Sequence, residues 1–215
     1  MRISLSPLRG LLLAALALAV SGCALLGGGG GAKPFTIYSP DVRVQSDPGW
    51  PQVHWQLGLA KPTAARMVDS ARILVRPQPE ELQIYKGASW AQPATDLVES
   101  VVLRAFEDSG RIDAVGRMNS GLRADYKLVM ELRRFESDYA GQATPTVVVE
   151  VNAKLMDNLN QRVVASRTFL NRQPTGNADI GPVVDAFQQA LHAMARDIVG
   201  WTLSAGQADA QSNSR

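Results

Sequence analysis

This 215-residue chain has few of the side chains that carry chemistry: one cysteine, two histidines and 6% aromatic residues. A single cysteine, Cys23, excludes an internal disulfide, so any exported domain must be held together by its core. The histidines, His54 and His192, lie on separate segments with no ligand beside them. There is no HExxH, no cysteine pair and no acidic loop of calcium spacing, and no metal or other cofactor is expected. A G-x-S-x-G elbow is also missing, and neither histidine has a serine placed to receive its help. His192 falls with Asp185, Gln188, Gln189 and Arg196 on the polar side of a helical pattern, a solvated position. Asp125 with Glu131, or Glu80 with Glu81, could be imagined as acid–base pairs, but carboxylates at strand edges usually face water. No catalytic residue is assigned.

Charge of one sign is lacking as well. Lys plus Arg number 22 against 20 Asp plus Glu, and loss of Arg2 and Arg9 with a cleaved leader would bring the balance to zero. No basic stripe with interleaved aromatics exists, which argues against nucleic acid as a partner. Apart from its start, the chain has no apolar run near the ~18 residues of a membrane-spanning helix.

The start is different. Arg2 and Arg9 form a positive region, Leu11 to Val20 is an unbroken apolar run, and Val20-Ser21-Gly22-Cys23 follows. At ~1.5 Å per residue this run is too short to span a hydrocarbon core of ~30 Å, so residues 1–22 read as a lipoprotein signal peptide and not as an anchor. Val20, Ser21 and Gly22 supply the small residues that the signal peptidase reads. Cys23 supplies the thiol for diacylglycerol, with an N-acyl chain added after cleavage. Two or three chains make a stable anchor where one is marginal. Ala24, in place of the aspartate that retains some lipoproteins in the inner membrane, favours the periplasmic face of the outer membrane. Residues 23–34, with five consecutive glycines, are the expected tether; a phosphate-binding glycine loop would need a strand before it and a helix after it.

A single domain is expected over residues 35–203. Period-two alternation marks Val53–Leu59, Tyr126–Leu132 and Val147–Leu155, with shorter extended pieces at Phe35–Tyr38, 71–76, Leu82–Tyr85, Ile112–Val115 and Arg162–Phe169. Phe135 breaks the alternation of its strand, which predicts a bulge near Arg133-Arg134. Asp157-Asn158-Leu159-Asn160 is turn chemistry that predicts an antiparallel hairpin. Apolar residues at helical spacing predict helices over Ala94–Ser109, stopped by Gly110, and over about Asp179–Leu203. Residues 204–215, small and polar, read as a flexible tail. The pattern fits an α+β two-layer sandwich, with both helices covering one face of a mainly antiparallel or mixed sheet.

Trp55 and Trp201 lie in apolar stripes and read as core. Trp50 and Trp90 sit among turn residues, where an indole either closes a packing gap or anchors a partner. Val129 and Val148 make the other sheet face partly apolar, a place for another subunit.

The ordered set of segments resembles the ABC-type transport auxiliary lipoprotein family, including its paraquat-inducible protein C type. The resemblance is carried by Phe35-Thr36-Ile37-Tyr38 after the lipidated cysteine, Trp55-Gln56-Leu57 leading to Lys61-Pro62-Thr63-Ala64, and Ile73-Leu74-Val75-Arg76-Pro77. It continues through Leu82-Gln83-Ile84-Tyr85, Trp90-Ala91, Phe106-Glu107-Asp108-Ser109-Gly110-Arg111, Asp125-Tyr126-Lys127-Leu128 and Phe135-Glu136 to the closing helix. It implies a non-enzymatic lipoprotein of an MCE (mammalian cell entry) type lipid-transport system. Such a protein would dock a periplasmic MCE-domain protein, served by an ABC permease and ATPase, at the outer membrane. Homo-oligomerisation is a further implication. A rival expectation is an envelope assembly or regulatory lipoprotein that activates a cell-wall synthase or a secretion machine.

Overall fold

The computed structural model describes residues 34–213, so the signal segment, Val20-Ser21-Gly22-Cys23 and the glycine run lie outside the described residues. Within them the strands are β1 (Thr36–Tyr38), β2 (Val53–Leu59), β3 (Thr63–Ala64), β4 (Arg72–Arg76), β5 (Gln83–Trp90), β6 (Ile112–Arg117), β7 (Tyr126–Asp138), β8 (Thr146–Asp157) and β9 (Arg162–Pro174). The helices are α1 (Ala94–Ser109) and α2 (Ile180–Asn213). Together the strands form one open mixed sheet.

The alternating residues Tyr126, Leu128, Met130 and Leu132 bury one face of β7. A register shift between Leu132 and Arg134 then turns Phe135 inward, at the bulge expected there. One edge of β7 pairs antiparallel with β8 along its length, and β8 with β9. The other edge is shared by three short strands, β2, β3 and β4, all parallel to β7. Beyond β4 lie β5 and the edge strand β1, and beyond β2 lies β6. The turn chemistry of Asp157-Asn158-Leu159-Asn160 makes the β8–β9 hairpin legible, but parallel pairing needs long crossovers that leave no local mark.

Both helices lie over the face that carries Phe135. Trp90 meets Phe135 and Phe187 edge-on at 5.7 and 5.0 Å between ring centres, which joins β5, β7 and α2. In α1, Leu97, Val98, Val101, Val102, Ala105 and Phe106 form the buried stripe, and Gly110 at φ +59° ends the helix in the left-handed conformation. Glu99, buried in its second turn, pairs with Arg117 of β6 at 3.2 Å.

Three expectations need correction. The closing helix does not stop near Leu203 with a tail after it; α2 continues to Asn213. Ser204, Ala205 and Gly206 look like a tail because they are small, yet Gly206 is small because the Trp55 ring lies against it. Trp90 is not a loop residue but the last residue of β5, which runs longer than expected past a kink at Gly87, φ +72°. Val148 is fully buried and in register with Glu136, so it does not belong to an open apolar face, and Val129 is half-buried.

Candidate functional site

Two clusters of polar side chains stand out. The first lines a cleft of about 500 Å³ where the starts of β2 and β7 meet the last turns of α2. His54, Trp55, Asp125, Tyr126 and Gln207 are among its walls. Period-two geometry turns Trp55 and Tyr126 to the helix side of their strands, where their rings meet edge-on at 4.9 Å. The Tyr126 hydroxyl donates to Asp209 Oδ2 at 3.1 Å, and Arg162 Nη2 donates to Asp209 Oδ1 at 2.8 Å. One carboxylate from the end of α2 thus ties β7 to β9. Burial pushes the Tyr126 phenol up to about 12, with the Asp209 carboxylate adding to the effect.

The remaining carboxylates near the cleft are committed to the backbone. Asp125 Oδ2 accepts from the Gln56 N–H at 2.8 Å. Asp157 accepts from the N–H groups of Leu159 and Asn160 at 3.0 Å each, which closes the β8–β9 turn; these hydrogen bonds, the Asn160 N–H first, hold its carboxyl below the usual range. His54 is exposed and meets Asp113 at 3.3 Å, a contact with a carboxylate and not with a hydroxyl.

The second cluster was not legible in the sequence. Glu136, 1% exposed, lies on the sheet face away from the helices. Arg76 donates to both of its oxygens, Nε to Oε1 at 2.8 Å and Nη2 to Oε2 at 3.1 Å. Arg134 Nε donates to Oε1 at 2.7 Å while its Nη2 reaches Asp138 at 2.7 Å. A carboxylate flanked by two guanidiniums satisfies the buried charge. Glu136 follows an alternation that reads as solvent-facing, and only the register Leu74↔Glu136 brings Arg76 beside it.

The residues singled out in the sequence separate accordingly. Cys23, Val20, Ser21 and Gly22 lie outside the described residues. Trp50 and Trp90, 9% and 1% exposed, are packing residues and not free contact anchors. Trp50 lies against Gly200 of α2, its turn held by an Arg196–Asp47 pair at 2.6 Å. Trp55 is buried as expected, whereas Trp201 is half-buried against Phe169 at 5.6 Å between ring centres. His192 is exposed, Glu131 pairs with Arg133, and Glu80 and Glu81 are exposed. Among the described residues no group of His, Cys, Asp and Glu could hold a metal ion, and no helix is long and apolar enough to cross a membrane.

Comparison with known proteins gives a consistent picture. The chain is 58% identical to protein XCC0632 from Xanthomonas campestris, whose crystal structure matches 82% of this chain and 99% of its own with a TM-score of 0.80. It is 27% identical over 178 residues to the Bradyrhizobium diazoefficiens protein bll6063; the match takes in 82% of this chain but spans only 47% of that relative. The family model described as the ABC-type transport auxiliary lipoprotein component matches residues 35–199, nearly the whole domain built above. The chain therefore belongs to the ABC-type transport auxiliary lipoprotein family.

Proposed function

We propose that this protein is a non-enzymatic auxiliary subunit of an MCE-type ABC transport system, anchored by lipid on Cys23 at the periplasmic face of the outer membrane. There it docks the periplasmic MCE-domain protein, so that a lipid or another hydrophobic compound passes between the membranes. The observation that carries this reading is the family match over residues 35–199. Val20-Ser21-Gly22-Cys23, followed by Ala24, supports the anchor and its address. The non-enzymatic role is supported by the work the polar groups already do: Asp125, Asp157, Asp209 and Glu136 each accept hydrogen bonds that hold the fold.

The test is affinity purification of the full-length protein from detergent-solubilised envelopes. The reading predicts recovery of an ATPase, a permease and an MCE-domain protein. Recovery of cell-wall synthases or secretion components without them contradicts it.

A further inference from the structure

Most exposed apolar side chains of the domain stand singly, but one group gathers at a corner of the sheet. Phe35 and Ile37 are 64% and 65% exposed. Ile37 of β1 is in register with Ser89 of β5, and Ser89 with Arg72 of β4, so these side chains share a face. Leu74, itself buried at 1% exposure, follows two residues along β4 on that face, and past a register shift in β5 the exposed Ile84 pairs with it. It is the face turned from the helices, because Trp90, on the opposite side of β5 from Ser89, packs on Phe187 of α2. Among the described residues β1 is also an end of the sheet, with no strand beyond it. Two exposed cations accompany the group, Arg72 on the same face and Lys86 two residues from Ile84.

The place of this corner in the chain suggests what covers it. Phe35 opens the compact unit, and Cys23 lies twelve residues before it. Even a fully extended chain of that length reaches only ~40 Å. Of all parts of the domain, the Phe35–Ile37 edge is therefore the one that the anchor holds nearest along the chain. An apolar patch too small to bind alone gains from such tethering, because its second contact is intramolecular.

We propose that this corner is the face the domain lays on the bilayer: Phe35, Ile37 and Ile84 enter the boundary between headgroups and acyl chains, and Arg72 and Lys86 meet anionic phospholipid headgroups. The proposal rests on the Cys23 anchor. It gives the tethered domain a fixed attitude, with β1 down and the helix-covered face turned away from the lipid.

Acylation consumes the one native thiol, so Ile37→Cys creates a single labelling site in the full-length lipoprotein. A polarity-sensitive fluorophore is attached there, at Phe35→Cys as a second variant, and at Leu159→Cys on the β8–β9 turn, a position 89% exposed. Each protein is reconstituted into phosphatidylethanolamine–phosphatidylglycerol vesicles. The probe at positions 35 and 37 should shift to the blue, be quenched by doxyl-labelled phospholipid, and be several-fold less accessible to iodide than the probe at 159. Equal iodide quenching at all three sites, in vesicles whose protein is acylated by mass, overturns this surface and leaves the anchor standing. Shielding from iodide without quenching by doxyl lipid overturns it too, and assigns the edge to a second copy or another protein. A protein without N-terminal acyl mass refutes the anchor and removes the basis for this membrane face.

Discussion

Gly206→Ala tests the close fit between the C-terminal half of α2 and the sheet. A Cβ at Gly206 would lie 2.5 Å from Trp55 Cζ2, 3.0 Å from Cη2 and 3.1 Å from Cε2. The ring is buried and meets Tyr126 edge-on at 4.9 Å, so displacing it disturbs that contact. Two effects oppose each other. Replacing glycine by alanine inside a helix stabilises by ~1 kcal/mol, whereas overpacking a filled core costs ~1–3 kcal/mol. Gly181, in the first turn of the same helix, separates them, because nothing lies within 4 Å of its added Cβ. Gly181→Ala should leave the protein as stable or slightly more so, and Gly206→Ala should fall below it by the collision alone, ~1–3 kcal/mol. Equilibrium urea unfolding followed by helical circular dichroism reads the difference as a shift in midpoint at constant slope. Trp55→Phe, which removes the colliding atoms, should make the second substitution nearly harmless, a coupling visible in the double-mutant cycle. If Gly206→Ala matches Gly181→Ala in stability, the helix does not rest on Trp55 and the close packing is refuted.

Other expectations follow from the two polar clusters. Glu136→Ala removes the buried carboxylate that pairs with Arg76 and Arg134, leaving Arg134 its Asp138 contact and Arg76 the Pro79 carbonyl, and should cost ~3–5 kcal/mol in urea unfolding; a loss below ~1 kcal/mol would mean that water already serves those groups. Tyr85 and Tyr126 are pushed up to about 12, in both cases mainly by burial. Their neutral forms favour the folded state, so that stability is full below the ordinary phenol value of ~10 and is lost as pH rises through 12. Absorbance titration should show both phenols ionising late, with the melting temperature falling across the same range; ionisation of either at ordinary pH contradicts the burial. Asp209→Ala removes the acceptor for Tyr126 and Arg162, and should speed amide hydrogen exchange over residues 204–213 while the first turns of α2 keep their protection.

Much of this architecture was legible in one dimension, and the reasons are local. A sixteen-residue helix with one apolar stripe and a glycine stop can be read without its neighbours, as can a hairpin closed by Asp157. The bulge of β7 was legible because Phe135 falls out of step. What escaped depends on contacts distant in sequence. The two-residue β3 is defined only by its pairing with β7, and the parallel register of β2 and β4 on that strand joins segments far apart in sequence. Val42 and Val44 are buried in a segment without regular structure, where periodicity gives no signal. Glu136 alternates like any solvent-facing residue, and the small residues after Leu203 look the same whether they face water or an indole ring. Trp50 and Trp90 show the converse: turn chemistry around an aromatic says nothing about whether the ring folds back into the core.

The transport role and the membrane face both depend on the covalent anchor, and mass spectrometry of the mature N-terminus tests it most directly. Trypsin does not cut before Pro34, so the N-terminal fragment of the protein purified from envelopes should run from Cys23 to Arg43. The account predicts a fragment beginning at Cys23 that carries diacylglycerol on sulfur and an acyl chain on the new amino group, and its loss in Cys23→Ala, with release of that variant from the membrane. A fragment that retains Gly22, or an unmodified Cys23 in protein that still sediments with membranes, would contradict it.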